Sequence, residues 1–156
     1  MKLVQVRVAK YRNILDSGEV KVQPDVTCLV GKNEAGKSAF LNALYRLLPA
    51  RENAKFDVGK HYPKWVQKND EMRGQKLSDV RPINAVFNLE PIDRGLVDAK
   101  IGAGVLTGNA LTLCRSYAGQ PLYYELATDE QVAVRLLREG LAMPAEVAEQ
   151  VDQART

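Results

Sequence analysis

The sequence is poor in residues that would hold a metal ion or a covalent cross-link. Its 156 residues include two cysteines, Cys28 and Cys114, and a single histidine, His61. Both cysteines lie inside apolar segments, which is typical of buried, reduced thiols in a reducing compartment and not of a disulfide. The lone histidine has no second ligand near it in the sequence, so we expect no metal centre there.

Long apolar runs, repeats and low-complexity tracts are also absent. The apolar stretches are too short to span a bilayer, and the first residues alternate instead of forming the apolar core of a signal peptide. We therefore expect a cytoplasmic protein with no membrane partner. The net charge of +3 permits contact with nucleic acid, but the basic residues are spread along the chain and form no cluster.

The pattern of apolar residues predicts an α/β fold of one domain's size. Strands are predicted over 3–8, 19–22, 26–30, 81–89, 111–117 and 122–126, and helices over 38–48, 91–100, 129–139 and from Pro144. The strand 26–30 (VTCLV) is continuously β-rich, as in a strand buried on both faces. Residues 50–80 are polar and irregular, with a short helix predicted around Trp65, and Thr128 is the predicted N-cap of the helix 129–139.

One stretch carries a recognisable chemical pattern. Residues 31–38 read GKNEAGKS and fit G-x-x-x-x-G-K-[S/T], the P-loop, between a predicted strand and a predicted helix. Gly31 lets the chain turn off the strand, and Gly36 lets the backbone approach a phosphate. Successive N–H groups then form an anion-binding nest at a helix N-terminus, where the helix dipole favours negative charge.

The residues of this loop have distinct predicted roles. Lys37, the candidate catalytic residue, would hold its ammonium between the β- and γ-phosphates of a nucleotide, and the Ser38 hydroxyl would be a ligand of Mg²⁺. The side chain of Glu34 is expected to point to solvent. The candidate nucleotide-binding residues of the loop are Gly31, Asn33, Glu34, Ala35, Gly36, Lys37, Ser38 and Ala39.

Together with the residues before it, the loop resembles a known family. YRNI (11–14), the predicted strands and VTCLVGKNEAGKSAFLNALYRLL (26–48) resemble the N-terminal lobe of ABC-type P-loop ATPases. The resemblance is closest to the SMC, RecF and OLD-nuclease branch, whose members often open with FR-N and carry G-x-N-E-A-G-K-S/T. It is strong over residues 1–48, and beyond them only the strand-rich section 81–126 fits the β-subdomain of that lobe.

This resemblance implies a P-loop NTPase fold with a mixed, partly antiparallel sheet and C-terminal helices. It implies ATP with Mg²⁺ as the ligand, a homodimer that sandwiches the nucleotide, and a task in DNA repair, chromosome organisation, nuclease control or antiviral defence. It also places Arg12 near the phosphates, although an exposed arginine at a strand end would equally explain that residue. We expect the nucleotide-binding lobe to cover residues 1–128, and residues 129–156 to begin a helical insertion or coiled-coil arm.

Two motifs of the resembled family are missing from the sequence. A Walker B strand needs about four apolar residues followed by Asp, which holds Mg²⁺ and activates water, and the nearest approach at 96–98 (LVD) is too short. An LSGGQ-like signature is missing as well. In the family both lie in a C-terminal lobe. We therefore expect an N-terminal portion of an ATPase that binds ATP without hydrolysing it, and that needs the missing lobe in cis or in trans.

Two alternatives stay open at this point. A complete small P-loop kinase or GTPase would use the same loop, but N-K-x-D and D-x-x-G are absent, and thirty residues precede Gly31 where small kinases have about ten. A non-enzymatic interaction module with a vestigial P-loop would have no chemical need for Lys37 and Ser38 together. DNA is a further possible partner, because basic and aromatic residues are interleaved over 61–73.

Overall fold

The computed structural model describes residues 1–50, 54–118 and 122–140, with side chains placed up to residue 136. Its strands are β1 (Lys2–Tyr11), β2 (Ile14–Asp16), β3 (Val20–Lys21), β4 (Ile83–Asn88), β5 (Leu106–Arg115) and β6 (Leu122–Thr128). Its helices are α1 (Lys37–Leu47), α2 (Val58–His61), α3 (Lys64–Met72), α4 (Pro91–Ile101) and α5 (Glu130–Gly140), with a 3₁₀ turn at Leu77–Asp79.

The described strands form a sheet in the order β2-β1-β4-β5-β6, with β3 also paired to β1. Strand β1 pairs antiparallel with β2, β3 and β4, and β4 pairs antiparallel with β5. Val6 lies opposite Ala85 and Val8 opposite Ile83, so these apolar side chains share one face. The sheet is thus mostly antiparallel. The parallel component of the predicted mixed sheet is not found among these four pairings, which are all antiparallel.

Helix α1 packs against β1 and β4 and closes the core. Its buried residues Phe40, Ala43 and Leu47 recur at helical spacing, and Pro49 follows the end of the helix because proline cannot continue it. The predicted helix over 38–48 is confirmed. The core that it covers contains Val6, Val8, Tyr11, Phe56, Tyr62, Ile83, Ala85, Leu113 and Tyr117.

The segment 26–30 is not a strand in this structure, and the prediction of a doubly buried strand is wrong for the described chain. Val26 is 72% exposed and Val30 is 92% exposed, while Leu29 is partly buried against the core. Cys28 is exposed too, contrary to expectation, whereas Cys114 is buried as predicted. A strand needs a neighbour to satisfy its backbone, and no described strand pairs with this segment.

The remaining strands and helices match the predictions from the sequence, with local differences. The strands predicted over 3–8, 81–89, 111–117 and 122–126 and the helix predicted over 91–100 are confirmed, and the helix expected near Trp65 is α3. Strand β2 is not among the predicted strands; it forms because a two-residue turn folds the chain back along β1. Thr128 is not the cap of α5: the Asp129 carboxylate accepts from the N–H groups of Gln131 and Val132. The helix predicted from Pro144 lies outside the described residues.

The chain divides into two compact units. The first is Met1–Asn88 with Ala110–Glu125, and the second takes Leu89–Asn109 and the described part of 126–156. In the second unit the Arg94 guanidinium donates to the carbonyl oxygens of Leu106 and Gly108 at 3.1 and 2.9 Å, which holds α4 beside residues 106–108. The expected lobe boundary after residue 128 stays a prediction. Across the described ranges, no helix has both the length and the apolar character needed to cross a bilayer.

Candidate phosphate-binding site

The loop 31–36 leads directly into α1. Gly36 has a φ of 95° at the helix N-cap, and Glu34 has a φ of 68° within a turn that the Ala35 N–H closes on the Lys32 carbonyl at 3.2 Å. The first helical hydrogen bond runs from the Phe40 N–H to the Gly36 carbonyl at 2.8 Å. The N–H groups of the preceding turn therefore have no acceptor within the helix. Among the described residues no side chain caps them, and the first turn of α1 contains no acidic residue, which favours an anion at this helix end.

The Lys37 side chain folds back over the loop. Its ammonium donates to the carbonyl oxygens of Gly31 and Lys32, both at 2.7 Å. These bonds hold the positive charge at the mouth of the loop, where a phosphate would compete for it. The next residue, Ser38, is exposed, and its carbonyl accepts from the Asn42 side chain at 2.8 Å. The two side chains predicted for phosphate and Mg²⁺ thus lie on consecutive residues at the N-terminus of α1.

The turn between β1 and β2 contacts the loop from outside. The Asn13 side-chain amide donates to the Glu34 carbonyl at 2.6 Å. Gly36 lies against Ile14, the first residue of β2, since a Cβ built on Gly36 would come within 2.9 Å of Ile14 Cγ1. Asn13 was not among the candidate residues from the sequence, although it belongs to the YRNI element that carries the family resemblance. The contact joins residues 21 positions apart, so no local pattern predicts it.

Arg12, the other candidate of this turn, does not hydrogen-bond the loop through its side chain in the described structure. Its backbone N–H donates to the His61 carbonyl at 2.6 Å, and its guanidinium carbon lies 5.7 Å from the centre of the Tyr11 ring. The side chain is exposed and therefore free to reorient. Its role near the phosphates stays a prediction. Asn33 and Glu34 are exposed as well.

A cavity of about 510 Å³ opens beside the loop. Its lining includes Asn13 of the turn, Ile14 and Asp16 of β2, Leu29 of the segment before the loop, Gly36 of the loop and Lys37 of α1. Its volume lies within the range of small-molecule sites, and it combines apolar walls with a few polar groups. The space next to Lys37 is therefore large enough for more than a phosphate group.

A cluster of aromatic side chains packs around Tyr11, the residue that precedes the turn. The Tyr11 hydroxyl accepts from Arg46 of α1 at 3.0 Å, and the Tyr11 ring stacks on His61 with centroids 5.4 Å apart. The Asp57 N–H donates to His61 Nδ1 at 3.0 Å. Burial lowers the pKa of His61, and the positive charges of Arg46 and Arg12 lower it further. His61 is thus a neutral packing residue, and no cluster of metal-binding side chains occurs in the described ranges.

Comparison with known proteins agrees with this geometry. A family model described as "AAA ATPase domain" matches residues 1–98, which include the turn, the P-loop and α1. The chain therefore belongs to the AAA ATPase domain family, and the resemblance to the N-terminal region of SMC-, RecF- and OLD-type ATPases is confirmed. No curated protein matches the chain. Membership in this family implies a nucleotide-binding ATPase with ATP, typically with Mg²⁺, as its ligand.

Proposed function

We propose that this chain is the ATP-binding N-terminal lobe of a cytoplasmic ABC-type ATPase with a P-loop NTPase fold. The main observation in support is the loop GKNEAGKS. It leads into the N-terminus of α1, which no described side chain caps, and the Lys37 ammonium is held at the mouth of the loop. The sequence pattern, the geometry and the family support the same ligand class. Within the family we place the chain in the SMC, RecF and OLD-nuclease branch, on the strength of YRNI and of Asn33, Glu34 and Ala35 inside the loop.

In this proposal the loop binds the nucleotide through its phosphates. The N–H groups of the loop and of the first turn of α1 surround the phosphate oxygens. The Ala35 N–H exchanges the Lys32 carbonyl for them, and the Lys37 ammonium exchanges the Gly31 and Lys32 carbonyls. Mg²⁺ fits the residues present, because it is commonly held by one or two protein oxygens together with phosphates and waters. The exposed Ser38 hydroxyl supplies such an oxygen. When bound, Mg²⁺ offsets negative charge on the phosphates, and Arg12 turns from Tyr11 to add a second cation.

The proposed partner is a second ATPase lobe, in cis or in trans. Two surfaces of the first unit support it. The segment 26–30 leaves Val26 and Val30 exposed and pairs with none of the described strands. Leu41 and Tyr45 of α1 are exposed as well, together with Leu48 at its C-cap. An added parallel strand beside 26–30 would satisfy its backbone and bury its side chains. Such a strand, ending in Asp, would complete the Mg²⁺ site, so that ATP is hydrolysed only when both lobes meet.

The full ATPase would then act as a homodimer in DNA maintenance, nuclease control or antiviral defence. This range comes from the resemblance to the SMC, RecF and OLD-nuclease branch. DNA is its proposed partner. Binding of DNA by this chain would be measured as affinity against salt concentration, and an affinity independent of salt would contradict phosphate contacts by the described residues.

Thermal unfolding with and without ATP tests the binding step. Because a ligand that binds only the folded state stabilises it by RT ln(1 + [L]/Kd), ATP at a hundred times Kd should add about 2.7 kcal/mol. We expect this shift for the wild type with Mg²⁺ and its loss in Lys37→Ala. Ser38→Ala should behave like the wild type in EDTA but lack the increment that Mg²⁺ gives. No shift in the wild type at millimolar ATP and Mg²⁺ would contradict the proposal, and a larger shift with GTP would favour a GTPase.

A further inference from the structure

The turn that contacts the P-loop is itself held in place from several sides. Tyr11, the last residue of β1, is completely buried and bonded to Arg46, and it pairs with Ile14 at the start of β2. Between them Arg12 has a φ of 51°, and its N–H is bonded to the His61 carbonyl. The two-residue turn of Arg12 and Asn13 therefore has a defined conformation before any ligand arrives.

The Asn13 side chain connects this turn to the loop by a hydrogen bond. Its amide donates to the Glu34 carbonyl at 2.6 Å, and Glu34 has a positive φ that non-glycine residues rarely adopt. In a trans peptide the C=O and the following N–H point in opposite directions. The bond that fixes the Glu34 carbonyl therefore also restricts the direction of the Ala35 N–H, which closes the loop turn on the Lys32 carbonyl at 3.2 Å. Asn13 thereby helps to set the conformation of the turn that precedes Gly36.

A second contact lies two residues further along the loop. Gly36 is buried against Ile14, and its nearest polar neighbour in the turn is the Asn13 amide nitrogen, 3.6 Å from the position of a Cβ. The turn thus meets the loop at Glu34 by a hydrogen bond, and the first residue of β2 meets it at Gly36 by packing. Only the hydrogen bond depends on the chemistry of a single side chain.

We propose that Asn13 is a positioning residue that holds the P-loop in its phosphate-binding shape through the Glu34 carbonyl. The inference depends on the proposed function, because it concerns the affinity of that site. Asn13 holds the loop and leaves the phosphates to the backbone and Lys37. Since Asn13 and the Glu34 carbonyl lie at the surface, water replaces the lost bond in a variant. The folded state is then little affected, while the loop loses a constraint that binding must restore.

The test compares Asn13→Ala, Asn13→Ser and Asn13→Gln with the wild type by calorimetric titration with Mg²⁺–ATP and with inorganic tripolyphosphate. Loss of one hydrogen bond should raise Kd about two- to tenfold in the Ala and Ser variants, and equally for both ligands. The Gln variant keeps an amide and should lie between them and the wild type. Asn69→Ala, which removes an exposed asparagine side chain from α3, is the matched control and should leave Kd unchanged.

Two further measurements separate positioning from a structural role. The melting temperature without ligand should be the same in the wild type and in the Ala and Ser variants, and the backbone amide resonance of Ala35 should shift in both variants. A lower melting temperature with an unchanged Kd would overturn the inference. A Kd that rises for ATP but not for tripolyphosphate would also overturn it, since Asn13 would then contact the nucleoside.

The wild-type titration separates this inference from the function on which it depends. If the wild type binds ATP and the Asn13 variants bind it with the same Kd, the role of Asn13 is wrong and the proposed function stands. If neither the wild type nor Lys37→Ala binds ATP or tripolyphosphate, both are wrong.

Discussion

The Tyr62 hydroxyl donates a 2.6 Å hydrogen bond to the carboxylate of Asp70. The same carboxylate oxygen accepts from the Lys10 ammonium at 2.7 Å, and Asp70 is only 6% exposed. Lys10 belongs to β1 and Asp70 to α3, so the ion pair fastens the segment between α1 and β4 to the strand that ends at the loop-supporting turn. The Tyr117 hydroxyl adds a bond to the Lys10 carbonyl at 2.5 Å. The segment that carries α2 and α3 is thereby fixed to the sheet.

Removal of the Tyr62 hydroxyl should weaken this attachment without dissolving it. Tyr62→Phe keeps the buried ring and leaves the Asp70 carboxylate bonded to Lys10. We expect a loss of about 1 kcal/mol in the free energy of unfolding, the usual net value of one hydrogen bond. Urea unfolding of the two proteins measures it. The matched control is Tyr124→Phe, because Tyr124 is 72% exposed and should tolerate the change. Equal stability of Tyr62→Phe and wild type would show that the bond is absent in solution.

The charge of Asp70 should make this attachment depend on pH. The Lys10 ammonium and then the Tyr62 hydroxyl hold the pKa of Asp70 below its ordinary value of 3.8. The carboxylate therefore stabilises the fold above that value, and the contribution is lost as pH falls through the lowered folded pKa. Asp70→Asn should melt well below the wild type at neutral pH, with a difference that shrinks in acid. Asp25→Asn, at an exposed position, is the control, and a difference independent of pH would contradict the ion pair.

Alanine at Gly36 should destabilise the fold for two separate reasons. The φ of 95° strains any residue with a Cβ, and that Cβ would approach Ile14 Cγ1 to 2.9 Å. Gly74 provides a matched comparison, since its φ is 78° but an added Cβ meets no atom within 4 Å. We expect Gly74→Ala to cost about 1 kcal/mol and Gly36→Ala about 2 to 3 kcal/mol in the free energy of unfolding. Equal losses would mean that Ile14 does not press on the loop.

These contacts show which parts of the site a sequence can predict. The P-loop and α1 were predictable because their determinants are local: glycine at fixed offsets, and apolar residues at helical spacing from Phe40 to Leu47. The bond from Asn13 to Glu34 was not, because it depends on how a turn meets a loop 21 residues later. The ion pair of Lys10 with Asp70 was unpredictable for the same reason, because its residues lie 60 positions apart.

The strand prediction for the segment 26–30 failed for a different reason. Its composition is typical of a strand that is buried on both faces. The described part of the chain provides neither a neighbouring strand nor burial for it. The pattern therefore predicts a partner for the segment more directly than it predicts the conformation of the segment alone. This is why the wrong strand prediction supports a second lobe.

The stability of the protein should decrease in mild acid because of its only histidine, His61. Burial lowers the pKa of His61 below its usual 6.5, so the unfolded chain binds more protons than the folded one between the two values. Stability is then fully present above pH 6.5 and is lost as pH falls through the folded pKa. His61→Asn keeps an acceptor for the Asp57 N–H but does not titrate, so its melting temperature should change less between about pH 7.5 and 5.5. A His61 NMR titration midpoint at or above 6.5 would contradict this.

The two cysteines should react at very different rates with a thiol reagent. Cys28 is exposed on the segment 26–30, which pairs with none of the described strands, whereas Cys114 is buried in β5 and its burial raises the pKa of its thiol. We expect Cys28 to react rapidly in the native protein and Cys114 only after unfolding. Cys28→Ser should remove the rapid phase, and Cys114→Ser should keep it. Slow reaction of both thiols would show that 26–30 is already covered in the isolated chain. Because the proposed second lobe would bury this segment, its addition should slow the Cys28 reaction and leave the Cys114 reaction unchanged.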